Sequence, residues 1–442
     1  MPKNKIPSYR GSLRRSGYNV LKLLSGKIIN VPLGLAQIYL TTRLIGDKGY
    51  GFLVLIYAFG QLVGDVAEFQ SWQTVLHYGL KPYQNKDLPL FQRVLRFSFL
   101  LDACSATFAL VVSVLIAINF SNILGWPPEW HYLGIIFSFS VLFTTSATAN
   151  GVLLLLNRYD LLAIQGTTTT TVRFLGIAFL TLIHGGMLGA VIVWTFATFM
   201  NFITILITAL YQLYKQGFLK GFFNRINDGL TKDLPGIWKF AWNTNINMTF
   251  SLVSAHITAQ IIGSMLGTVQ NARYSIANKI SEAIAKPVIM LQSTLYPEMT
   301  RSWQGSKPSH LYKMALQITL LTGGIISVIF LILPYIAPYI ISLLLHKSTT
   351  PETLHLLYWL AGAKAVILWG ISLEPILITT GNTKGASISR GINSFIYIPM
   401  LIIFIQKWGI QGIGPATLIS SVLLVISQIL FVIKYKKKTI TQ

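Results

Sequence analysis

Arg273, Lys279, Glu282 and Lys286 stand in a stretch, 271–297, that is long enough as a helix to cross a bilayer. On a helical wheel at about 100° per residue, Ile276, Ile280, Ile284, Val288, Leu291 and Leu295 fall on one face. Asn271, Ser275, Asn278, Lys279, Glu282, Lys286 and Ser293 fall on the other. Against lipid each charge costs about 2.5–3.5 kcal/mol, while a strongly apolar residue returns about 0.3–0.6 kcal/mol. The polar face therefore has to meet protein or water. Cations at that depth can hold an anionic group, and a carboxylate there can exchange a proton or a cation. Two other readings stand beside this one. The helix could lie flat on the membrane surface, or Glu282 could neutralise Lys279 and Lys286, one helical turn to either side, as a structural network. Two lysines and one carboxylate leave positive charge over, which favours a functional role.

Further charges interrupt other apolar stretches. Lys27, Arg173 and Lys364 extend the candidate set for an anionic ligand. Lys27 and Arg173, read as lying near the inner third of their spans, could instead snorkel to the interface; Lys364 sits deeper. Asp65, Glu68 and Glu374 join Glu282 as candidates for ion coupling, with pairing to the lysines as the alternative. Lys286-Pro287 and Glu374-Pro375 set a charge beside a proline inside an expected helix, where the missing N–H permits a kink and a hinge. Thr167 to Thr171 reads as structural filling, with hydroxyls bonded back to the helix. His256 reads as a satisfied helix histidine, and no metal cluster, nucleophile triad or phosphate loop stands out.

The elements that must position these residues are helices. Of 442 residues, 53% are hydrophobic and only 11% charged, and apolar runs of about 20 residues recur throughout. Twelve spans are expected, near 20–43, 51–70, 97–120, 131–156, 161–183, 187–213, 240–263, 271–297, 314–334, 356–379, 388–405 and 410–433. The net charge of +22 does not indicate nucleic acid, because Lys and Arg concentrate in alternate connecting segments, the positive-inside pattern. That pattern puts both termini in the cytoplasm, and the first residues form a basic tail rather than a signal peptide. Trp126 and Trp130, beside Pro127 and Pro128, read as an interfacial belt, as do Trp359 and Trp408. Cys104 is single, so no disulfide forms within the chain.

The expected division is a basic tail (1–19), a six-helix lobe (20–213), a cytoplasmic connector (214–239), a second six-helix lobe (240–433) and a basic tail (434–442). Six spans in each half predict a parallel repeat about an axis along the membrane normal, with a central cavity between the lobes. Local similarity agrees. Leu44-Ile45-Gly46 after the first span matches Met265-Leu266-Gly267 after the seventh, and Gly186 to Ala190 echoes Gly409 to Ile413 before the sixth and twelfth.

Arg43-Leu44-Ile45-Gly46 followed by Gly49-Tyr50-Gly51 resembles the R-x-L-G-x-x-x-Y-G turn of bacterial polysaccharide flippases. These exporters of lipid-linked, O-antigen-type oligosaccharide belong to the multidrug/oligosaccharidyl-lipid/polysaccharide superfamily. Glu68-Phe69 stands where that family has Asp-x-Gly, with Gln70 departing from the glycine, and Leu266-Gly267, Tyr274 to Ala277 and Pro297 are similar too. A carboxylate common in the family's seventh span is His256 or a neighbour here. The resemblance implies an inner-membrane flippase, not an enzyme, that carries undecaprenyl-pyrophosphate-linked oligosaccharide to the outer leaflet by alternating access. It implies no cofactor, coupling to an H⁺ or Na⁺ gradient, and a polysaccharide polymerase and chain-length machinery as partners. An organic-cation extruder of the same superfamily is the nearest alternative, but it wants an acidic cavity. A membrane polysaccharide polymerase or ligase wants a larger loop than this chain has.

Overall fold

In the computed structural model the backbone is described for residues 9–222, 229–305, 308–345, 351–380 and 383–440. Side chains are described for most of 30–434, apart from 243, 246–255, 287–311 and the short segments around 225, 348 and 383. Every described element is a helix. In chain order they are α1 (Tyr9–Ala67), α2 (Ser71–Gln84), α3 (Leu88–Phe120), α4 (His131–Ser138), α5 (Ala147–Leu155), α6 (Tyr159–Leu182) and α7 (Met187–Lys215). There follow α8 (Ile237–Leu266), α9 (Thr268–Gly305), α10 (Pro308–Leu344), α11 (Pro351–Trp369), α12 (Leu373–Thr379), α13 (Thr383–Trp408) and α14 (Ile413–Ile440). Each of the twelve expected apolar stretches falls in this series. Seven described stretches are long and apolar enough to cross a membrane, and two of them, Asn30–Gln84 and Gly385–Lys434, each take in two of the expected spans.

The chain forms two compact units, Met1–Ile45 with Leu55–Ile257, and Gly46–Val54 with Thr258–Gln442. In the first, Val75, Phe91, Leu95, Val152, Leu153, Ile205 and Leu213 close a core between α2, α3, α5 and α7. Phe218 and Leu219, just beyond α7, pack against it. Leu234, Ile237 and Ala241 extend the packing onto α3 through Val94 and Phe97, and Arg93 pairs with Asp233 at 2.7 Å. In the second unit Ala285, Ile318, Leu368 and Leu377 bring α9, α10, α11 and α12 together. The outer flanks remain apolar: Leu182, Leu331, Tyr335 and Tyr339 are all at least 70% exposed. That is what lipid-facing helices require, since lipid gives no reason to hide them.

Two helices are broken at membrane depth, and side chains explain how. Between α4 and α5 the chain turns at Thr144 to Ser146 with neither glycine nor proline. The N–H groups freed at the start of α5 are taken by acids from elsewhere in the unit, just beyond α1 and on α3: Ser146 N donates to Glu68 Oε1 (3.2 Å) and Thr148 N to Asp102 Oδ2 (2.8 Å). The second break, Gly370 to Ser372, separates α11 from α12. Pro375 was expected inside a helix; it lies instead in the first turn of α12, where its missing N–H is not needed. Helix α9 runs through Pro287 without interruption, and the side chain of Pro287 lies outside the described residues.

Two local expectations change. Trp126 is not an interfacial anchor: it is buried, edge-on to Phe59 at 5.4 Å, and covers Gly134, where an added Cβ would meet its ring. Trp130 is half-buried, while Trp359 and Trp408 are exposed. In the threonine run, Thr167 and Thr168 donate back to Ile164 O at 2.8 and 3.1 Å, as expected of structural filling.

Candidate functional site

The second unit carries the densest group of charges. On α9 the apolar face packs inward, with Ile276 and Ile280 buried, and the opposite face carries Lys279 and Glu282 away from this unit's core. Lys279 Nζ lies 3.6 Å from Glu282, whose other oxygen accepts from Asn278 at 2.9 Å. The Lys279 side chain is 59% exposed, so this contact is loose. Lys286 is half-buried on the same helix. Arg273 is turned elsewhere: its guanidinium pairs with Glu352 at the start of α11 at 3.2 Å and also reaches Gln270. It ties α9 to α11.

Beside Lys286 in the chain, Ala285 lines a cavity of about 240 Å³ that α11, α12, α13 and α14 enclose. Lys364, Glu374, Arg390 and Gln428 supply its polar groups, and Ile367, Leu368, Ile371, Leu424 and Val425 its apolar wall. Arg390 Nη2 donates to Glu374 Oε2 at 2.6 Å. Among the described residues Lys364 makes no ion pair, so the cavity holds two cations against one carboxylate. The partner of Glu374 is thus an arginine rather than one of the lysines.

The first unit holds the remaining candidates. Arg173 is buried on α6. Its guanidinium is enclosed 4.4 Å from the ring of Tyr57 and 4.2 Å from that of Trp194. Such a stack is worth about 2 kcal/mol when desolvated. Arg173→Lys removes the planar group that both rings hold, so it is expected to lower the thermal midpoint nearly as much as Arg173→Ala, measured on purified protein by scanning fluorimetry. Asp65 Oδ2 lies 3.5 Å from His256 Nε2, so the histidine of the seventh expected span does have an acidic partner. Glu68 caps α5 as described. The Lys27 side chain lies outside the described residues.

Asp102 and Arg390 are absent from the candidates drawn from the sequence, as is the pairing of His256. The signal for the first two is the one that found Lys364: each is a charge inside an expected apolar span.

The sequence model of the family described as "Polysaccharide biosynthesis protein" matches residues 16–303. The chain belongs to that family. One relative is the "Inner membrane protein YghQ" of Escherichia coli (strain K12), 24% identical over 330 residues, covering 72% of this chain and 88% of that one. Among solved structures, the inward-facing conformation of a multidrug resistance MATE family transporter of the MOP superfamily superposes with a TM-score of 0.75 at 14% identity, covering 94% of this chain and 98% of that one. A mutant of the Vibrio cholerae MATE transporter VcmN gives a TM-score of 0.60 at 13% identity, covering 97% of this chain and 98% of that one. These likenesses show the fold. Among its described residues the chain is therefore a helical, multi-pass membrane protein with the fold seen in those solved structures.

Proposed function

We propose that this protein carries an oligosaccharide, linked to a polyprenyl pyrophosphate such as the undecaprenyl carrier, from the inner to the outer leaflet of a bacterial inner membrane by alternating access. The observation that supports this most is the composition of the second unit's cavity, in which Lys364 and Arg390 outnumber Glu374. A pyrophosphate crossing a low-dielectric slab needs charge-assisted contacts throughout, whereas an organic cation would be repelled there. Lys279 and Lys286, about 10 Å apart along α9, extend the cationic groups over depth. Energy comes from a proton or sodium gradient, with Asp65 and its partner His256, Glu68, Glu282 and Glu374 as the groups that couple. Both termini lie in the cytoplasm, and the product passes to a polysaccharide polymerase with its chain-length machinery.

Lys279 separates this reading from a structural one. If charge binds the pyrophosphate, Lys279→Ala and Lys286→Ala lose transfer while the protein stays folded in the membrane, and Lys279→Arg keeps it. Transfer is measured by reconstituting purified protein in vesicles with lipid-linked oligosaccharide and following its access to an impermeant lectin. Should Lys279→Ala with Glu282→Ala restore both abundance and transfer, the two residues form a structural network and the reading fails.

A further inference from the structure

The two sides of α6, in the first unit, differ in kind. At about 100° per residue, Ile164, Leu175, Phe179 and Leu182 share one face, and each is more than half exposed, as a lipid-facing side allows. Gly166, Thr169, Thr170 and Arg173 fall on the opposite side. Arg173 is taken up there by Tyr57 and Trp194. Thr167 and Thr168 donate their hydroxyls to Ile164 O, whereas those of Thr169 and Thr170 bond nothing among the described residues, and both side chains are half-buried. Asn30 Nδ2 donates to Gly166 O at 2.9 Å, which sets α1 against this side, and Gln165 Nε2 donates to Asn201 Oδ1 of α7 at 2.9 Å. That leaves Gln165 Oε1 as an acceptor and Asn201 Nδ2 as a donor without a partner among the described residues, again on half-buried side chains. A Cβ built on Gly166 would meet nothing within 4 Å, so there is room beside them. Asn201 stands about 21 Å from the start of α7, midway along it. Polar groups left part-open at that depth face water or a ligand rather than lipid.

We propose that this patch is a sugar subsite, in which Gln165, Asn201, Thr169 and Thr170 hold one uncharged pyranose of the oligosaccharide by its hydroxyls. The inference rests on the flippase reading and deepens it, by giving the glycan a place of its own in the first unit. The two carboxamides offer an acceptor and a donor, and each threonine hydroxyl is both, which is the bonding pattern of a sugar hydroxyl. Other ligands fit worse. A phosphate wants cations, and Arg173 is already stacked against two rings. An organic cation wants a carboxylate, and none stands among these residues. An acyl or prenyl chain would leave all four polar groups without partners. The bare backbone at Gly166 lets the sugar ring come close to α6.

The test uses the full chain in nanodiscs and measures affinity by microscale thermophoresis for three probes: undecaprenyl pyrophosphate bare, with one N-acetylglucosamine, and with one galactose. For wild type, at least one glycosylated lipid is expected to bind about tenfold tighter than the bare one. Thr169→Val with Thr170→Val keeps the shape, and Gln165→Leu with Asn201→Leu removes both amides together. Each pair is expected to bring that gain below about threefold. Gly166→Leu fills the space without touching the four polar groups and gives the same loss; it decides alone if the amide pair does not fold. Binding of the bare lipid shows that each variant is folded. Wild type that binds all three lipids equally overturns the subsite and leaves the flippase reading standing, as does a gain that survives in the variants. Binding of no lipid overturns both. Lys364→Gln is expected to weaken all three lipids alike and so to keep the gain; a gain lost there instead would place the sugar at the second unit's cavity and overturn the subsite.

Discussion

Replacing Lys364 by glutamine is expected to cut export of the lipid-linked oligosaccharide by about tenfold or more, with the protein still folded and present at its usual level. A charge-assisted hydrogen bond contributes about 1.5–3 kcal/mol, and about 1.4 kcal/mol is already a factor of ten. The clean comparison comes from the pairing. Glu374 is held by Arg390 at 2.6 Å, and Lys364 has no ion pair among the described residues. Lys364→Gln therefore removes a cation without leaving an orphan acid, and Lys364→Arg restores the charge. Arg390→Ala does leave one, so it is expected to lower abundance as well, an effect that Arg390→Ala with Glu374→Ala relieves. The ratio of surface glycan to membrane-inserted protein separates these outcomes. An unchanged ratio in Lys364→Gln would remove the cavity from the transport route.

Gly51→Ala is expected to destabilise the second unit strongly. An ideal Cβ there would stand 1.7 Å from Thr268 O and 2.6 Å from Thr268 C, backbone atoms at the start of α9 that cannot swing aside. Overpacking of a side chain costs about 1–3 kcal/mol, and a backbone neighbour puts the cost at or above the top of that range. The same segment carries two more contacts: Asn271 Nδ2 donates to Gly51 O at 3.2 Å, and Tyr50 OH lies 3.4 Å from Ser275 Oγ. Gly46→Ala is expected to be milder. Gly46 has φ 71° and ψ 174°, a conformation essentially confined to glycine, with nothing within 4 Å of a built Cβ, so its cost is the backbone alone, about 1–3 kcal/mol. Membrane abundance and detergent-extracted thermal midpoints should rank wild type, Gly46→Ala and Gly51→Ala in that order. Equal midpoints for the two variants would contradict the close approach at Gly51.

Helicity and the sites of charge within the apolar stretches were legible in the sequence, because lipid imposes one rule on every residue that faces it. A run of apolar residues the length of a bilayer has few folded alternatives to a helix, and a lysine such as Lys364 is conspicuous in such a run. The match between Gly46 and Gly267 was legible too, and both adopt positive φ, 71° at a kink inside α1 and 84° at the turn between α8 and α9. Contacts between helices decided the rest. Whether a carboxylate is paired, caps a helix or faces a cavity depends on residues far away in the chain. Glu374 on α12 meets Arg390 from α13, Asp65 meets His256 from a helix far along the chain, and Asp102 caps α5. The break before α5 shows the limit most plainly. Neither glycine nor proline marks it, and it exists because Glu68, just beyond α1, and Asp102, on α3, take up the N–H groups that the turn leaves open. Arg173 likewise reads as an interfacial snorkel until Tyr57 and Trp194, brought from α1 and α7, close on its guanidinium. Local hydropathy sets where a helix runs. Which face of it is chemical is set by the neighbours that satisfy, or leave unsatisfied, each buried polar group.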